Sequence, residues 1–342
     1  MNSIKKMMLS GALGCLISGM AYADGSSPQP VKPYWQDIQV VAVNKEKPRS
    51  SFMSYADRET ALTSRFEKSP YYSLLNGTWK FFFVDSYKDL PQNITDPSVN
   101  TSSWDDITVP GNWEVQGHGV AIYTNHGYEF KPRNPQPPLL PEANPVGVYR
   151  RDIEIPASWD NRDIYLHIGG AKSGLYVYLN GKEVGYSEDS KNPAEFLINK
   201  YLQPGKNVLT LKIFRWSTGS YLECQDFWRM SGIERDVFLW SQPKASIQDF
   251  RVVSTLDDTY TNGIFKLAVD LKNHTQETKN LNVGYELLDA KGNLVTSEAN
   301  DIWVSPASPQ TASFEYDLKN VAPLECRASE SIQIIDDDKR RG

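Results

Sequence analysis

The chain has 342 residues, of which 40% are hydrophobic, 23% are charged and 12% are aromatic. This composition can build packed cores and excludes a generally disordered chain, and the length allows about two domains. The 36 basic and 42 acidic residues give a formal net charge of -6, which argues against nucleic acid as a partner, and three cysteines are too few for a disulfide-stapled scaffold.

The first residues have the three-part pattern of a secretory signal. Lys5 and Lys6 precede an apolar stretch over residues 7–20, and a small-x-small cleavage site ends at Ala23. We therefore predict a signal peptide over residues 1–23, a short leader over 24–33, and an exported protein, periplasmic or secreted. A lipoprotein anchored at Cys15 is the less favoured alternative. No later segment reaches the roughly 20 apolar residues that a membrane span needs.

Residues 34–243 are dense in strand signals. Segments such as 78–84 and 207–214 are rich in β-branched and aromatic side chains, and apolar positions often alternate with polar ones. Asn180-Gly181 predicts a tight hairpin, because both residues tolerate a positive φ. Short strands separated by turns of this kind indicate a large β-sandwich.

A second β pattern covers residues 244–323. Alternating segments such as 265–271 and 281–287 predict about five strands, which is typical of an immunoglobulin-like sandwich without its last strands. The sequence therefore predicts an all-β protein with two sandwiches in series.

Few residues indicate a catalytic site by themselves. The acidic pairs Glu188/Asp189 and Glu223/Asp226 are close in sequence, but such acids on loops are more often solvated or structural than a catalytic pair. The four histidines lack metal-ligand spacing, and His167, on a predicted strand, is interpreted as a hydrogen-bonded interior residue.

Longer motifs resemble a known family. They are Pro110-Gly-Asn-Trp-Glu-Val-Gln-Gly117, Glu142-Ala-Asn-Pro-Val-Gly-Val-Tyr-Arg150, Gly185-Tyr-Ser-Glu-Asp-Ser190 and Arg215-Trp-Ser-Thr-Gly-Ser-Tyr-Leu-Glu-Cys-Gln-Asp-Phe-Trp-Arg-Met-Ser-Gly-Ile233. Together they closely resemble the amino-terminal part of the β-galactosidases of glycoside hydrolase family 2. The resemblance runs from about Trp35 to Pro323, and motifs of this length and order are specific.

The resemblance implies a fold and an activity. In that family a jelly-roll, galactose-binding-like sandwich is followed by an immunoglobulin-like sandwich and then by a (β/α)₈ barrel that carries both catalytic glutamates. We therefore expect a jelly-roll domain over residues 34–243 and an incomplete immunoglobulin-like domain over 244–323. The family hydrolyses terminal non-reducing β-D-galactosides by a retaining mechanism, so the expected ligand is a β-galactoside oligosaccharide. Intact relatives are expected to be homo-oligomeric.

The resemblance also transfers two site residues. Asn112 is expected to contact sugar hydroxyls, and Asp226 is expected to bind a galactose hydroxyl and to help hold a sodium ion shared with the barrel. Sodium and magnesium are implied for the intact enzyme, and no cofactor is expected on this chain alone. The simpler interpretations remain open, namely that Asn112 is a turn residue and that Asp226 only pairs with Arg229.

Some neighbouring residues are kept out of the predicted site. Trp113, Trp216 and Trp228 could stack on sugars, but most tryptophans in sandwiches are core or interface anchors. Cys224 stands where the family usually has an acid, which removes a charge two residues from Asp226.

The resemblance ends at Pro323. Residues 324–342 are polar, charged and without a strand pattern, and we predict that they are an aberrant, frame-shifted tail, which the nucleotide sequence would decide. Without the barrel we expect no catalytic residue and no hydrolysis by this chain alone. Two other functions remain open: a stand-alone carbohydrate-binding or adhesive module, and a fragment of a related β-glucuronidase or β-mannosidase.

Overall fold

The computed structural model describes residues 32–130, 134–289, 291–319 and 321, and the backbone of residues 329–335. The predicted signal peptide, Cys15 and most of the leader lie outside these residues, as does most of the predicted tail. Strands predominate, and the two α-helices of the described residues are the short α1 (Arg58–Leu62) and α2 (Ser220–Glu223). No described helix is both long and apolar enough to cross a bilayer.

The first sandwich is built from short and medium strands. In chain order they are β1 (Ala42–Val43), β2 (Tyr72–Leu74), β3 (Gly77–Val84), β4 (Asp105–Val109), β5 (Gly111–Asn112), β6 (Ile122–Thr124), β7 (Val146–Glu154), β8 (Arg162–Ile168), β9 (Ala171–Lys172), β10 (Gly174–Leu179), β11 (Lys182–Ser187), β12 (Ala194–Leu197), β13 (Lys206–Phe214), β14 (Phe227–Arg229), β15 (Gly232–Ile233) and β16 (Val237–Pro243).

Two antiparallel sheets form the body of this sandwich. The larger has the order β1-β11-β10-β13-β7-β3-β4, and the smaller has the order β12-β8-β16-β2. Strands distant in sequence are neighbours in both sheets, as in a jelly roll and unlike a simple meander. Two small sheets, β5-β15-β9 and β6-β14, are formed by the segments that carry the predicted site.

Both faces of the larger sheet are covered. Between the sheets lies an apolar core that includes Trp79, Phe81, Leu166, Leu209 and Leu239. On the outer face a second cluster forms around Trp35, Trp104, Tyr186 and Phe214. Because neither face meets water, every residue of β10 is buried, and an alternating apolar pattern is not required there.

The second sandwich has two three-stranded sheets. Its strands are β17 (Ala245–Leu256), β18 (Gly263–Asn273), β19 (Lys279–Leu288), β20 (Leu294–Val304), β21 (Gln310–Leu318) and β22 (Ser329–Ile335). The sheet orders are β17-β18-β21 and β20-β19-β22, and the inward residues of β18, β19 and β21 form the core between them. The all-β class, with a jelly roll followed by an immunoglobulin-like sandwich, is confirmed.

Part of the predicted tail forms a strand, β22. Residues 329–335, in the segment without a strand pattern in its sequence, pair with β19 in an antiparallel ladder from Ser329 opposite Leu288 to Ile335 opposite Asn282. The physical reason is that the second edge of β19 offers unpaired N–H and C=O groups, which can pair with an extended backbone whatever its side-chain pattern. The origin of the tail stays a prediction. So does the domain boundary near residue 243, which falls between β16 and β17.

Polar contacts join the two sandwiches. His274 Nδ1 lies 2.7 Å from Asp163 Oδ2, and Ser50 donates its N–H to Asp249 Oδ1 at 2.8 Å. Ser50 Oγ also donates to the Phe250 carbonyl at 2.7 Å. The strands of the second sandwich are thus attached to β8 and to the segment that precedes α1 in the first.

Candidate functional site

Two antiparallel segments carry the predicted site residues. Strand β5 pairs with β15, which places Asn112 opposite Gly232, and strand β6 pairs with β14, which places Thr124 opposite Phe227. Asp226 immediately precedes β14. Asn112 and Asp226 therefore lie toward opposite ends of the same pair of segments, although 114 residues separate them in sequence.

Asn112 is half-buried and held by the backbone around it. Its Nδ2 donates to the Ser231 carbonyl at 3.1 Å, and its own carbonyl accepts from Gln116 Nε2 at 3.3 Å. One amide hydrogen is therefore used inside the protein, and Oδ1 accepts no hydrogen bond from the described residues. The backbone of Asn112 belongs to the short ladder with β15, and its contact with a sugar stays a prediction.

Asp226 is exposed and oriented by a tyrosine. Tyr123 Oη donates to Asp226 Oδ1 at 2.9 Å, and the hydrogen bond and the charge of Asp226 raise the pKa of Tyr123, so that it remains a donor. Among the described residues nothing donates to Oδ2. The alternative pairing with Arg229 is absent from the described contacts, because Arg229 is buried and its Nε lies 3.7 Å from Glu129 Oε2.

Two buried glutamates hold the site segments in place. Glu114 Oε2 accepts the Ser231 N–H at 2.8 Å, and its Oε1 lies 3.6 Å from Arg215 Nη1. Burial raises the pKa of Glu114, and the hydrogen bond from Ser231 and the charge of Arg215 oppose that shift. Glu114 thus links the segment of Asn112 to the segment of Gly232. This role was not predicted from the sequence, although Glu114 is part of the first motif.

The second buried glutamate, Glu129, lies near the end of the segments that carries Asp226. Its Oε1 accepts from Trp216 Nε1 at 2.9 Å, and Cys224 Sγ lies 3.7 Å from Oε2. Burial and the charge of Glu129 raise the pKa of Cys224 to about 11, which keeps the sulfur a neutral thiol. Cys224 therefore contacts Glu129, and Tyr123 is the residue that contacts Asp226.

The two glutamates of the acidic pairs noted in the sequence are structural. Glu188 accepts from Tyr186 Oη, Thr218 Oγ1 and the Gly219 N–H, each at 2.7 Å. Glu223 accepts from the N–H and Oγ of Ser190 at 2.8 and 2.6 Å. Burial raises the pKa of both carboxyls, and every carboxyl oxygen is occupied by a protein donor. These two glutamates are not a free catalytic pair.

Two described cavities lie elsewhere. One of about 430 Å³ is lined by residues 255–258 and 260 in the loop after β17, and another of about 340 Å³ lies at the junction of the sandwiches. Neither is lined by Asn112 or Asp226.

The described residues include one candidate oxygen ligand for the expected sodium ion, Asp226 Oδ2. A sodium ion prefers several oxygen ligands, and Asp226 offers one oxygen that accepts no hydrogen bond from the described residues. Within the described ranges no group of three acidic, histidine or cysteine residues could hold a metal ion.

The three tryptophans near the motifs differ in exposure. Trp113 and Trp216 are buried, as expected for core anchors. Trp228 is 52% exposed and lies next to the exposed Tyr123. Of the two roles considered for these tryptophans, core or interface anchor, the exposure of Trp228 excludes the core role, because Arg229 occupies the interior position on this short strand.

Comparison with known proteins agrees with the fold and the motifs. The family model "Glycosyl hydrolases family 2, sugar binding domain" matches residues 72–243. A β-galactosidase of Priestia megaterium is 37% identical over 294 residues, which are 85% of this chain and 28% of that protein. A β-galactosidase of Vibrio cholerae is 36% identical over 261 residues, covering 76% of this chain and 25% of that protein.

Solved structures show the same architecture at lower identity. A Bacteroides uniformis β-glucuronidase superposes with a TM-score of 0.61 at 18% identity, covering 78% of this chain and 32% of its own. The chain spans only 25 to 28% of the length of the two β-galactosidases named above. By the family match and by its resemblance to the amino-terminal part of these β-galactosidases, the chain belongs to glycosyl hydrolase family 2.

Proposed function

We propose that this chain forms one wall of a galactose-binding cleft in an exported β-galactosidase, with Asn112 and Asp226 as its sugar contacts. The observation that carries the proposal is the exposed Asp226 carboxylate, oriented by Tyr123 and with its Oδ2 free of protein donors. A carboxylate oxygen accepts a sugar hydroxyl, and the Asn112 amide offers an acceptor and one remaining hydrogen.

The proposed role is binding and orientation without bond cleavage. A retaining glycosidase needs two carboxyl groups about 5 Å apart, one as nucleophile and one as acid and base. Glu114, Glu129, Glu188 and Glu223 are engaged by protein donors or buried cations, and this supports placing the catalytic pair outside the chain. The sodium and magnesium ions of the intact enzyme would likewise take most of their ligands from there.

Replacing Asp226 by asparagine tests the proposed contact. We expect the full chain to bind methyl β-D-galactoside with a dissociation constant of about 1 to 10 mM, and Asp226→Asn to weaken binding roughly tenfold, since the hydrogen bond would lose its charged acceptor. Isothermal titration calorimetry measures both values.

The matched control is Asp106→Asn. Asp106 is also exposed and pairs with Lys80 at 2.8 Å on the edge of the larger sheet, so this variant makes the same change of charge away from the site. Equal affinities of the two variants would refute the assignment of Asp226. So would the absence of binding by the unmodified chain in a titration to about 0.1 M.

A further inference from the structure

An aromatic pair lies beside Asp226. Trp228 and Tyr123 are directly opposite each other in the β6-β14 ladder, with ring centroids 5.7 Å apart and planes inclined by 61°. They are 52% and 56% exposed. Directly opposite residues point to the same face of a two-stranded ribbon, so the pair forms one outward surface, which we call the aromatic platform.

The residues on the other face of the ribbon contact other parts of the protein. Arg229, the next residue on β14, is buried and donates to the Thr124 carbonyl at 3.3 Å. The ring of Phe227 has Lys191 Nζ 5.3 Å from its centroid. Among the described residues no cation covers Trp228, whose only described ring contact is Tyr123. The platform is thus the part of the ribbon that is left for a ligand.

The position of the aromatic platform beside the Asp226 carboxylate favours a saccharide as its ligand. Tyr123 belongs to the platform and also donates to Asp226, so the same hydrogen bond fixes the ring and the carboxylate relative to each other. A pyranose has an apolar C–H face, which suits an aromatic surface, and a rim of hydroxyls, which suits a carboxylate.

We propose that the aromatic platform stacks against the sugar unit attached to the terminal galactose, while Asp226 binds the galactose itself. Trp228 is two residues beyond Asp226, a backbone rise of about 7 Å for an extended chain, which is roughly the length of one sugar ring. The aromatic platform therefore binds the sugar that would leave when the galactosyl bond of a disaccharide is cleaved. This inference rests on the proposed function of Asp226.

The test compares a disaccharide with a monosaccharide on the full chain. We expect lactose to bind roughly fivefold to tenfold more tightly than methyl β-D-galactoside, and Trp228→Ala to remove that advantage while leaving the methyl galactoside affinity unchanged. Trp228→Phe should retain part of the advantage. The control is Trp303→Ala, because Trp303 is 67% exposed on β20 of the second sandwich.

The outcomes separate this inference from the proposed function. If methyl β-D-galactoside binds but Trp228→Ala preserves the lactose advantage, or weakens both sugars equally, the platform is not a leaving-group subsite and the inference fails alone. If neither sugar binds in a titration to about 0.1 M, or Asp226→Asn has no effect, the proposed function fails and the inference fails with it.

Discussion

Replacing Glu195 by glutamine is expected to lower the free energy of unfolding by about 3 to 5 kcal/mol near neutral pH. Glu195 on β12 is buried and receives both Nε and Nη2 of Arg49 at 2.8 Å. His167 Nδ1 lies 2.8 Å from its Oε1, and Trp240 Nε1 donates to the same oxygen at 3.1 Å. A neutral amide would leave the half-buried Arg49 without its counter-ion.

The loss of unfolding free energy in Glu195→Gln should become smaller as the pH falls. Burial alone would raise the pKa of Glu195, but the hydrogen bond from His167 and the ion pair with Arg49 outweigh it and hold the pKa at about 2, below its ordinary value of 4.5. The carboxylate therefore contributes its full stability above pH 4.5 and loses it as the pH falls to about 2. The difference between the unmodified chain and Glu195→Gln should shrink over the same interval.

Urea unfolding at a series of pH values measures this difference. Asp106→Asn is the control, because the exposed pair with Lys80 should contribute less than about 1 kcal/mol. A loss below about 1 kcal/mol for Glu195→Gln, or a loss that stays constant from pH 5 to pH 2, would contradict the account of this buried cluster.

Replacing Gly232 by alanine is expected to damage both the fold and the sugar site. Gly232 has a φ of 106°, and a Cβ there would lie 2.7 Å from Tyr149 Oη and 3.2 Å from the Gly111 carbonyl. Backbone strain and the collision together should cost about 3 kcal/mol. Because Gly232 pairs with Asn112, the relaxed structure should displace Asn112 and weaken galactoside binding.

Gly205→Ala is the matched control for Gly232→Ala. Gly205 has a φ of 77°, and a Cβ there would have nothing within 4 Å, so this variant carries the backbone strain without the collision. We expect it to cost about 1 kcal/mol and to leave binding intact. Thermal unfolding and calorimetry of both variants provide the comparison. If Gly232→Ala is as mild as Gly205→Ala, the close approach at Gly232 does not position Asn112.

Local sequence signals predicted the strands well. Asn180 and Gly181 join β10 to β11 with φ values of 53° and 77°, as the hairpin signal requires. His167 is hydrogen-bonded to Glu195 and stacked on Phe238, as expected for an interior histidine. These features could be predicted because turn chemistry and side-chain alternation act over a few residues.

Contacts between distant segments could not be predicted in this way. Arg49 lies 146 residues from Glu195, and Ser231 lies 117 residues from Glu114. Strand β14 also has unusual residues on its two faces, since Arg229 is inside and Trp228 is outside. An arginine is normally the outward residue of such a pair, but the buried carboxylate of Glu129 provides an interior counter-charge. Sequence alone does not show where such a counter-charge will lie.

The most direct test of the account is to assay the purified chain for binding and for hydrolysis of nitrophenyl β-D-galactoside in the same preparation. We expect millimolar binding that Asp226→Asn weakens, and no release of nitrophenol above the uncatalysed rate. Nitrophenol release that is abolished by Asp226→Asn or by Glu223→Gln would place catalytic carboxyl groups within these two sandwiches and contradict the account.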